Sequence, residues 1–365
     1  MKIYRVVLTP TSSIDEIPAS DRLFGAICWG IRAVYSEKNL CEILDRFDGD
    51  DPAFVLSSSF PMLKNDGKAV HFYPMLCLPG PGLCGLKGIA RECSESGLAF
   101  KVALTRAVEH WERFSKARFV SHTVTERFLV DGNLEGAFKD YHSGGAVKLV
   151  SQDLLMSQED YALIFGDGRP PRLQSTEITQ RNRIDRLLNS TGGAGELYYT
   201  TDTRLRIGPE GPRLILHFLL KTSDVDFLRP VFRWLADTGI GGNRTSGKNH
   251  FSLSEPEEAN VPDASGNVFF TLSRCLPKSG EEPLMYNLLP RRNRLESSHF
   301  RGPNINIWKR KVIYFREGSC FRYHDRKQYY GRVQEVIKVD DRSIRQNGLA
   351  FPIFGSADER NEAED

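Results

Sequence analysis

Apolar residues recur along this chain at two spacings, and the change from one to the other marks out its elements. Over residues 2–9 hydrophobic and polar side chains run as a strand does, up to Pro10. Leu23, Phe24, Ile27, Ile31 and Val34 then fall on one side of a helix that Ser20 or Asp21 can cap. Gly25 and Gly30 let that helix lie close against a neighbour. Residues 72–78 read as a short strand, broken by Pro79-Gly80-Pro81-Gly82. The stripe Leu104, Val108, Trp111 predicts a helix from Lys101 to about Phe119, with Arg106, Arg113, Lys116 and Arg118 solvated around it. From 120 to about 195 the pattern fades into polar, glycine- and arginine-rich sequence, as in an inserted hairpin or loop. Strands resume over 195–202 and 213–221. Leu228, Val231, Phe232 and Leu235 mark a helix at 226–237, with Pro230 in its first turn, and residues 251–254 alternate as a strand.

Strand, helix, strands, helix, strand is the βαββαβ order of a ferredoxin-like (RRM-like) domain. It predicts an α+β fold whose first domain spans 1–259 and carries a long insertion at about 116–195. Residues 260–266 read as a linker. Strands at 268–273 and 311–315, a turn at Glu317-Gly318-Ser319 and an apolar segment at 349–354 make up a second domain over 266–357. The tail 358–365 is acidic and expected to be disordered.

With 49 basic and 47 acidic residues the formal charge is only +2, so any nucleic-acid face must be a local patch. No apolar run approaches the roughly 18–20 residues of a membrane span, and the N-terminus reads as a strand rather than a signal peptide. Seven scattered cysteines fit reduced thiols, hence a cytoplasmic protein. Cys77, Cys84 and Cys93, with His71 nearby, match none of the tight zinc spacings, so no metal and no cofactor is expected. His217 lies inside a strand-like run and reads as structural.

The segment 239–249, Gly-Ile-Gly-Gly-Asn-Arg-Thr-Ser-Gly-Lys-Asn, holds four glycines and two cations. Successive amides in such a turn form an anion-binding concavity, and Arg244 and Lys248 add charge beside it. Gly242 to Lys248 imitates a P-loop, but Asn249 replaces the magnesium-binding Ser/Thr, and the order is helix–loop–strand instead of strand–loop–helix. Nucleotide hydrolysis is therefore rejected in favour of a grip on a phosphate backbone.

Several segments together resemble the RAMP superfamily of CRISPR proteins, and more narrowly the handle-capping group to which the fourth subunit of the type III-A Csm complex belongs. They are Ser20-Asp21-Arg22-Leu23-Phe24-Gly25 with Cys28-Trp29; Asn182-Arg183-Ile184-Asp185-Arg186 with Gly195-Glu196-Leu197-Tyr198-Tyr199; the glycine-rich loop; Lys309-Arg310-Lys311 leading to Glu317-Gly318-Ser319; and Asn347-Gly348-Leu349-Ala350-Phe351-Pro352. The resemblance implies two ferredoxin-like RAMP domains in a non-catalytic scaffold. Such a subunit caps the 5′ handle of the crRNA, meets target RNA indirectly, and bridges a polymerase-like large subunit to backbone RAMP subunits. The alternative is a RAMP-type endoribonuclease that processes guide RNA. Relatives that cleave use a histidine near the first helix, whereas residues 21–35 contain none and Arg181 stands where relatives often carry one.

On this reading RNA contacts fall on Gly239, Gly241, Gly242, Arg244, Ser246, Gly247, Lys248 and Asn249. Amides and cations would meet phosphates, and Ser246 and Asn249 the 2′-hydroxyl. Reversing Arg244 and Lys248 to Glu is expected to abolish handle binding without unfolding the chain. Asn182, Arg183 and Arg186, with Arg181, form a second candidate group, in which Arg183 and Arg186 share a face if the segment is helical. Arg291, Arg292, Lys309, Arg310 and Lys311 are possible RNA or partner contacts, and 120–190 is expected to include a hairpin that wedges into the guide–target duplex.

Overall fold

The computed structural model describes residues 1–95, 99–182, 197–208, 210–295, 308–339 and 342–357. Its largest sheet is built on β1 (Lys2–Pro10), which buries Val6 and Leu8 on one face. The other strands of the N-terminal part are β2 (Phe54–Leu56), β3 (Phe60–Asn65), β4 (Lys68–Pro74), β5 (Phe119–Ser121), β6 (Val147–Leu149) and β7 (Leu154–Ser157), then β8 (Gln174–Asn182), β9 (Leu197–Leu205), β10 (Arg213–Thr222), β11 (Phe251–Leu253) and β12 (Glu257–Glu258). The sheet runs β11-β1-β10-β3-β4-β5-β7-β6, with β12 also on β1 and β2 on β10. Among the described strands only β5 and β7 pair in parallel. β8 and β9 stand apart as a two-stranded ribbon.

The helices are α1 (Ser20–Val34), α2 (Glu37–Asp48), α3 (Gly82–Glu95), α4 (Phe100–Ser115), the single turn α5 (His122–Val124), α6 (Leu134–His142), α7 (Gln158–Phe165) and α8 (Arg229–Thr238). Leu23, Phe24, Ile27 and Ile31 of α1 are buried, as are Leu228, Val231, Phe232 and Leu235 at α8. Each such side chain contributes roughly 1.5–3 kcal/mol on burial. Gly30 permits the close approach of the two helices: a Cβ there would lie 2.6 Å from Val231 Cγ1. At Gly25 nothing lies within 4 Å, so only one of the two glycines has that role.

Ser20 and Asp21 do not cap α1; its cap position is Ala19, with no side-chain bond. Both side chains instead reach the C-terminal half. Arg274 donates its amide to Ser20 Oγ (3.0 Å) and its guanidinium to Asp21 Oδ1 (2.8 Å), and Asn293 donates to Asp21 Oδ2 (3.1 Å).

Residues 116–173 differ from the insertion read in the sequence. Val120, Phe138, Leu154, Leu155 and Met156 are buried in the main core. Strands of three or four residues, buried on both faces, leave no alternation to detect. The strand placed at 72–78 lies earlier, at β4, and Cys84 sits exposed on α3 rather than in a loop. In α4 the inward side is Ala103, Ala107 and Phe114, while Val108 is 44% exposed.

The C-terminal part holds β13 (Val268–Thr271), β14 (Pro283–Met285), β15 (Leu288–Arg291), β16 (Val312–Phe315) and β17 (Cys320–Arg322), followed by β18 (Tyr330–Gly331), β19 (Gln334–Val339), β20 (Arg342–Gln346), β21 (Leu349–Ala350) and β22 (Pro352–Gly355). One sheet runs β14-β17-β13-β22, and β15–β16, β18–β21 and β19–β20 form ribbons. Among the described residues of 266–357 there is no helix, so the helix pair of a second βαββαβ unit is not seen among them. Val268, Phe270, Phe351 and Ile353 share a core cluster with Leu8 and Leu220. The expected linker is tied down: Phe354 N–H donates to Asp263 Oδ1 (3.0 Å) and Ala264 N–H to Phe354 O (3.0 Å). No helix among the described residues is long and apolar enough to cross a membrane.

Candidate nucleic-acid interface

The glycine-rich loop runs from α8 into β11, helix to strand. Gly239, Gly241 and Gly247 have positive φ, as do Asn243 and Asn249. A Cβ on Gly241 (φ +101) would lie 2.9 Å from Arg22 Cδ, so the glycine also lets Arg22 cross the loop. Part of the backbone is already committed. Gly239 N–H bonds Leu235 O, and Gly247 N–H bonds Arg244 O at 3.0 Å. Gly242 and Ser246 are exposed, though Ser246 Oγ donates to Asn243 O (2.7 Å); Arg244 is half-buried.

Lys248 and Asn249 point the other way. Lys248 is 2% exposed; its ammonium pairs with Asp202 and, at 3.3 Å, with Asp15. Asn249 is 1% exposed and donates to Asp15 Oδ2 (3.0 Å) and Gly242 O (2.8 Å). Asn243 also donates to Asp15 Oδ2, at 2.9 Å. Lys248 and Asn249 hold the loop from beneath instead of facing a ligand, and Lys248→Glu would put a third carboxylate beside Asp202 and Asp15. Charge reversal at Lys248 thus tests folding as well as binding, contrary to the sequence expectation. The Lys248 hydrogen bond holds the Asp202 carboxyl below its ordinary range. At Asp15 burial opposes ionisation, but bonds from Asn243, Asn249 and Lys248 outweigh it and the carboxyl also titrates low.

The segment before α1 connects the loop to a cleft. Glu16 pairs with Arg22 and, at 3.3 Å, with Arg291, which places Arg291 near the loop. The cleft, of about 720 Å³, is walled by residues 14–19, the end of α4, the base of the β8–β9 ribbon and the C-terminal part. Its size is within the about 300–1,000 Å³ usual for ligand sites. Arg118, Arg291, Arg316 and Arg274 line it. Arg118 and Arg316 are exposed and have no carboxylate partner among the described residues, whereas Arg274 is held by Asp21 and, at 3.6 Å, Glu317. Arg22, Arg118 and Arg316 stand far apart in sequence, each with its own local context, so no motif marks them as one group.

The other candidates are more dispersed. Asn182 is exposed at the far end of β8, five residues beyond the Glu177–Asp202 pair. That is about 17 Å along the ribbon at roughly 3.4 Å per residue. It ends a strand, not a helix; Arg183 and Arg186 lie outside the described residues. Lys309 is half-buried, and burial lowers its pKa despite Asp21 and Cys28 nearby. Arg292, Arg310 and Lys311 are exposed. Among the described residues no three His, Cys, Asp or Glu side chains cluster as a metal site requires.

No protein-family model matches the chain. A curated relative, the CRISPR system Cms protein Csm4 of Thermococcus onnurineus (strain NA1), is 23% identical over 359 residues, 96% of each chain. A chain of the Csm3-Csm4 subcomplex in the type III-A CRISPR-Cas interference complex superposes with TM-score 0.58 at 16% identity, over 94% of this chain and 98% of that one. A chain of the Csm1-Csm4 cassette in complex with cA4 gives 0.55 at 17% identity, over 98% and 100%. The mixed α+β fold is the one these solved chains share. In sequence the chain is similar to Csm4 along nearly its whole length.

Proposed function

We propose that this chain is a non-catalytic scaffold subunit of a type III-A Csm complex, which caps the 5′ handle of the crRNA and joins a polymerase-like large subunit to backbone RAMP subunits. The cleft carries the reading: Arg118, Arg291 and Arg316 converge on it, beside a loop that leaves Gly241 and Gly242 without a bound amide partner among the described residues. Cations track phosphates and bare amide N–H groups donate to an anion, while the burial of Lys248 and Asn249 keeps the loop in shape. We read the antiparallel order β11-β1-β10-β3, backed by α1 and α8, as a ferredoxin-like unit, and the β8–β9 ribbon as the arm that reaches the guide–target duplex. The likeness to Csm4, and to chains solved with Csm1 and with Csm3, supports the two protein contacts. Scaffold and ribonuclease are separated by incubating the full chain with labelled repeat RNA. Retention of intact RNA is expected, and metal-independent cleavage would assign the chain to the processing enzymes instead.

A further inference from the structure

The ribbon of β15 and β16 has two unlike faces. Val312 and Tyr314 are buried on the inner one, where Leu289 and Arg291 also line the cleft. Leu288 and Ile313 are exposed on the outer one. Beyond β15 the pairing continues as a bridge between Arg294 and Trp308, and Arg292, two residues before Arg294, lies on the same side. Trp308 is 43% exposed, with the guanidinium carbons of Arg292 and Arg294 at 5.5 Å and 5.3 Å from its ring centre. Arg310 and Lys311 follow directly and are exposed.

None of Arg292, Arg294, Arg310 and Lys311 has a carboxylate partner among the described residues. The arginines of α8, by contrast, are matched: Arg229 meets both Asp226 and Glu255, and Arg233 meets Glu255. Arg292 and Arg294, two like charges against one exposed indole with Arg310 and Lys311 next in the chain, repel one another, and a polyanion relieves that repulsion. An aromatic face beside guanidinium groups is also what sequence-tolerant binding of single strands uses, since every base presents a π-face.

We propose that Trp308 is a stacking platform for a base of single-stranded RNA, with Arg292, Arg294, Arg310 and Lys311 holding the flanking phosphates. The proposal rests on the RNA-binding reading above and adds a second contact surface, across one strand from the cleft. When a base takes the ring, the two arginines turn from the indole to the phosphates on either side. The apolar end of the same face, at Leu288 and Ile313, suits a protein better, but the unmatched charge around Trp308 favours RNA.

The test uses the full chain and a fluorescein-labelled single-stranded RNA of about 12 nucleotides, within the usual footprint of such sites. Anisotropy is read at two salt concentrations, and the unfolding midpoint of every variant is measured. Trp308→Ala should weaken binding about 5- to 150-fold, the loss of one stacked base, and Trp308→Phe should keep most of the affinity. Arg292→Ala with Arg294→Ala should flatten the salt dependence by about 0.7 per charge. Unchanged affinity in Trp308→Ala, alongside weakened binding in a cleft variant, overturns the platform and leaves the RNA reading standing. Loss of protein co-assembly with RNA affinity intact assigns the face to a protein and also overturns it. Absence of RNA binding by the wild-type chain overturns both.

Discussion

At the scale of single residues, Lys248 shows how composition misleads. Beside glycines and Arg244 it reads as a phosphate ligand, yet it lies under the loop between Asp202 and Asp15. Removing one member of such a buried group leaves the others uncompensated, which typically costs about 3–5 kcal/mol. Lys248→Met should therefore lower the urea midpoint sharply, and a stability equal to wild type would show that the ammonium is not needed. Because Asp202 and Asp15 titrate low, their stabilisation is present above the unfolded carboxylate pKa and is lost only as pH falls through the folded values. His71 acts at milder pH. Burial, then Arg5 and His122, push its pKa down to about 3, so below about 6.5 the unfolded chain takes up a proton that the folded chain refuses. Stability must fall with pH, and this residue alone contributes about 2 kcal/mol of loss between about pH 7 and pH 5. Urea titration of His71→Gln should show a loss smaller by that amount; an identical pH dependence would contradict the cause.

Whole elements were legible where periodicity was long. β1, α1 and α8 lie where the pattern puts them, because each presents one apolar face to a single core. The stretch after residue 116 was not legible, since β5, β6 and β7 are only three or four residues long and α6 is amphipathic over fewer than three turns. In the β8–β9 ribbon burial does not sort the side chains either, since Ile178 is 74% and Tyr199 68% exposed. Within the candidate site, the loop and Arg291 could be read from local runs, but the cleft joins Arg118 to Arg316 only through the fold. A deletion of 130–170 would remove Phe138, Leu154, Leu155 and Met156 from the core, so it cannot probe the arm alone. Joining Thr179 to Thr200, a paired position of the ribbon, through Asn-Gly removes only the distal part. That variant should keep the wild-type unfolding midpoint and its affinity for handle RNA while losing discrimination of target pairing next to the handle. Equal loss of handle binding would show that the ribbon belongs to the cap itself.

Across the whole molecule, the continuous core and the Asp21–Arg274 pair place the cleft between parts of the chain that the sequence divides into domains. Residues 14–19, the end of α4 and the C-terminal strands meet there, so the proposed RNA surface is a product of their docking and not of any one segment. The small net charge fits a local patch: Lys116, Arg118, Arg274, Arg291 and Arg316 line the cleft against Asp15, Glu16 and Glu317.

The most direct measurement is the affinity of the full chain for a labelled 5′ handle RNA, compared with Arg118→Glu combined with Arg316→Glu. Both side chains are exposed and have no acid partner among the described residues, so the unfolding midpoint should not move. Binding is expected to drop at least about tenfold, with a shallower salt slope of about 0.7 per lost phosphate contact and the RNA recovered uncut. Wild-type affinity in the double variant, or cleavage by either protein, would contradict a cleft that holds RNA without consuming it.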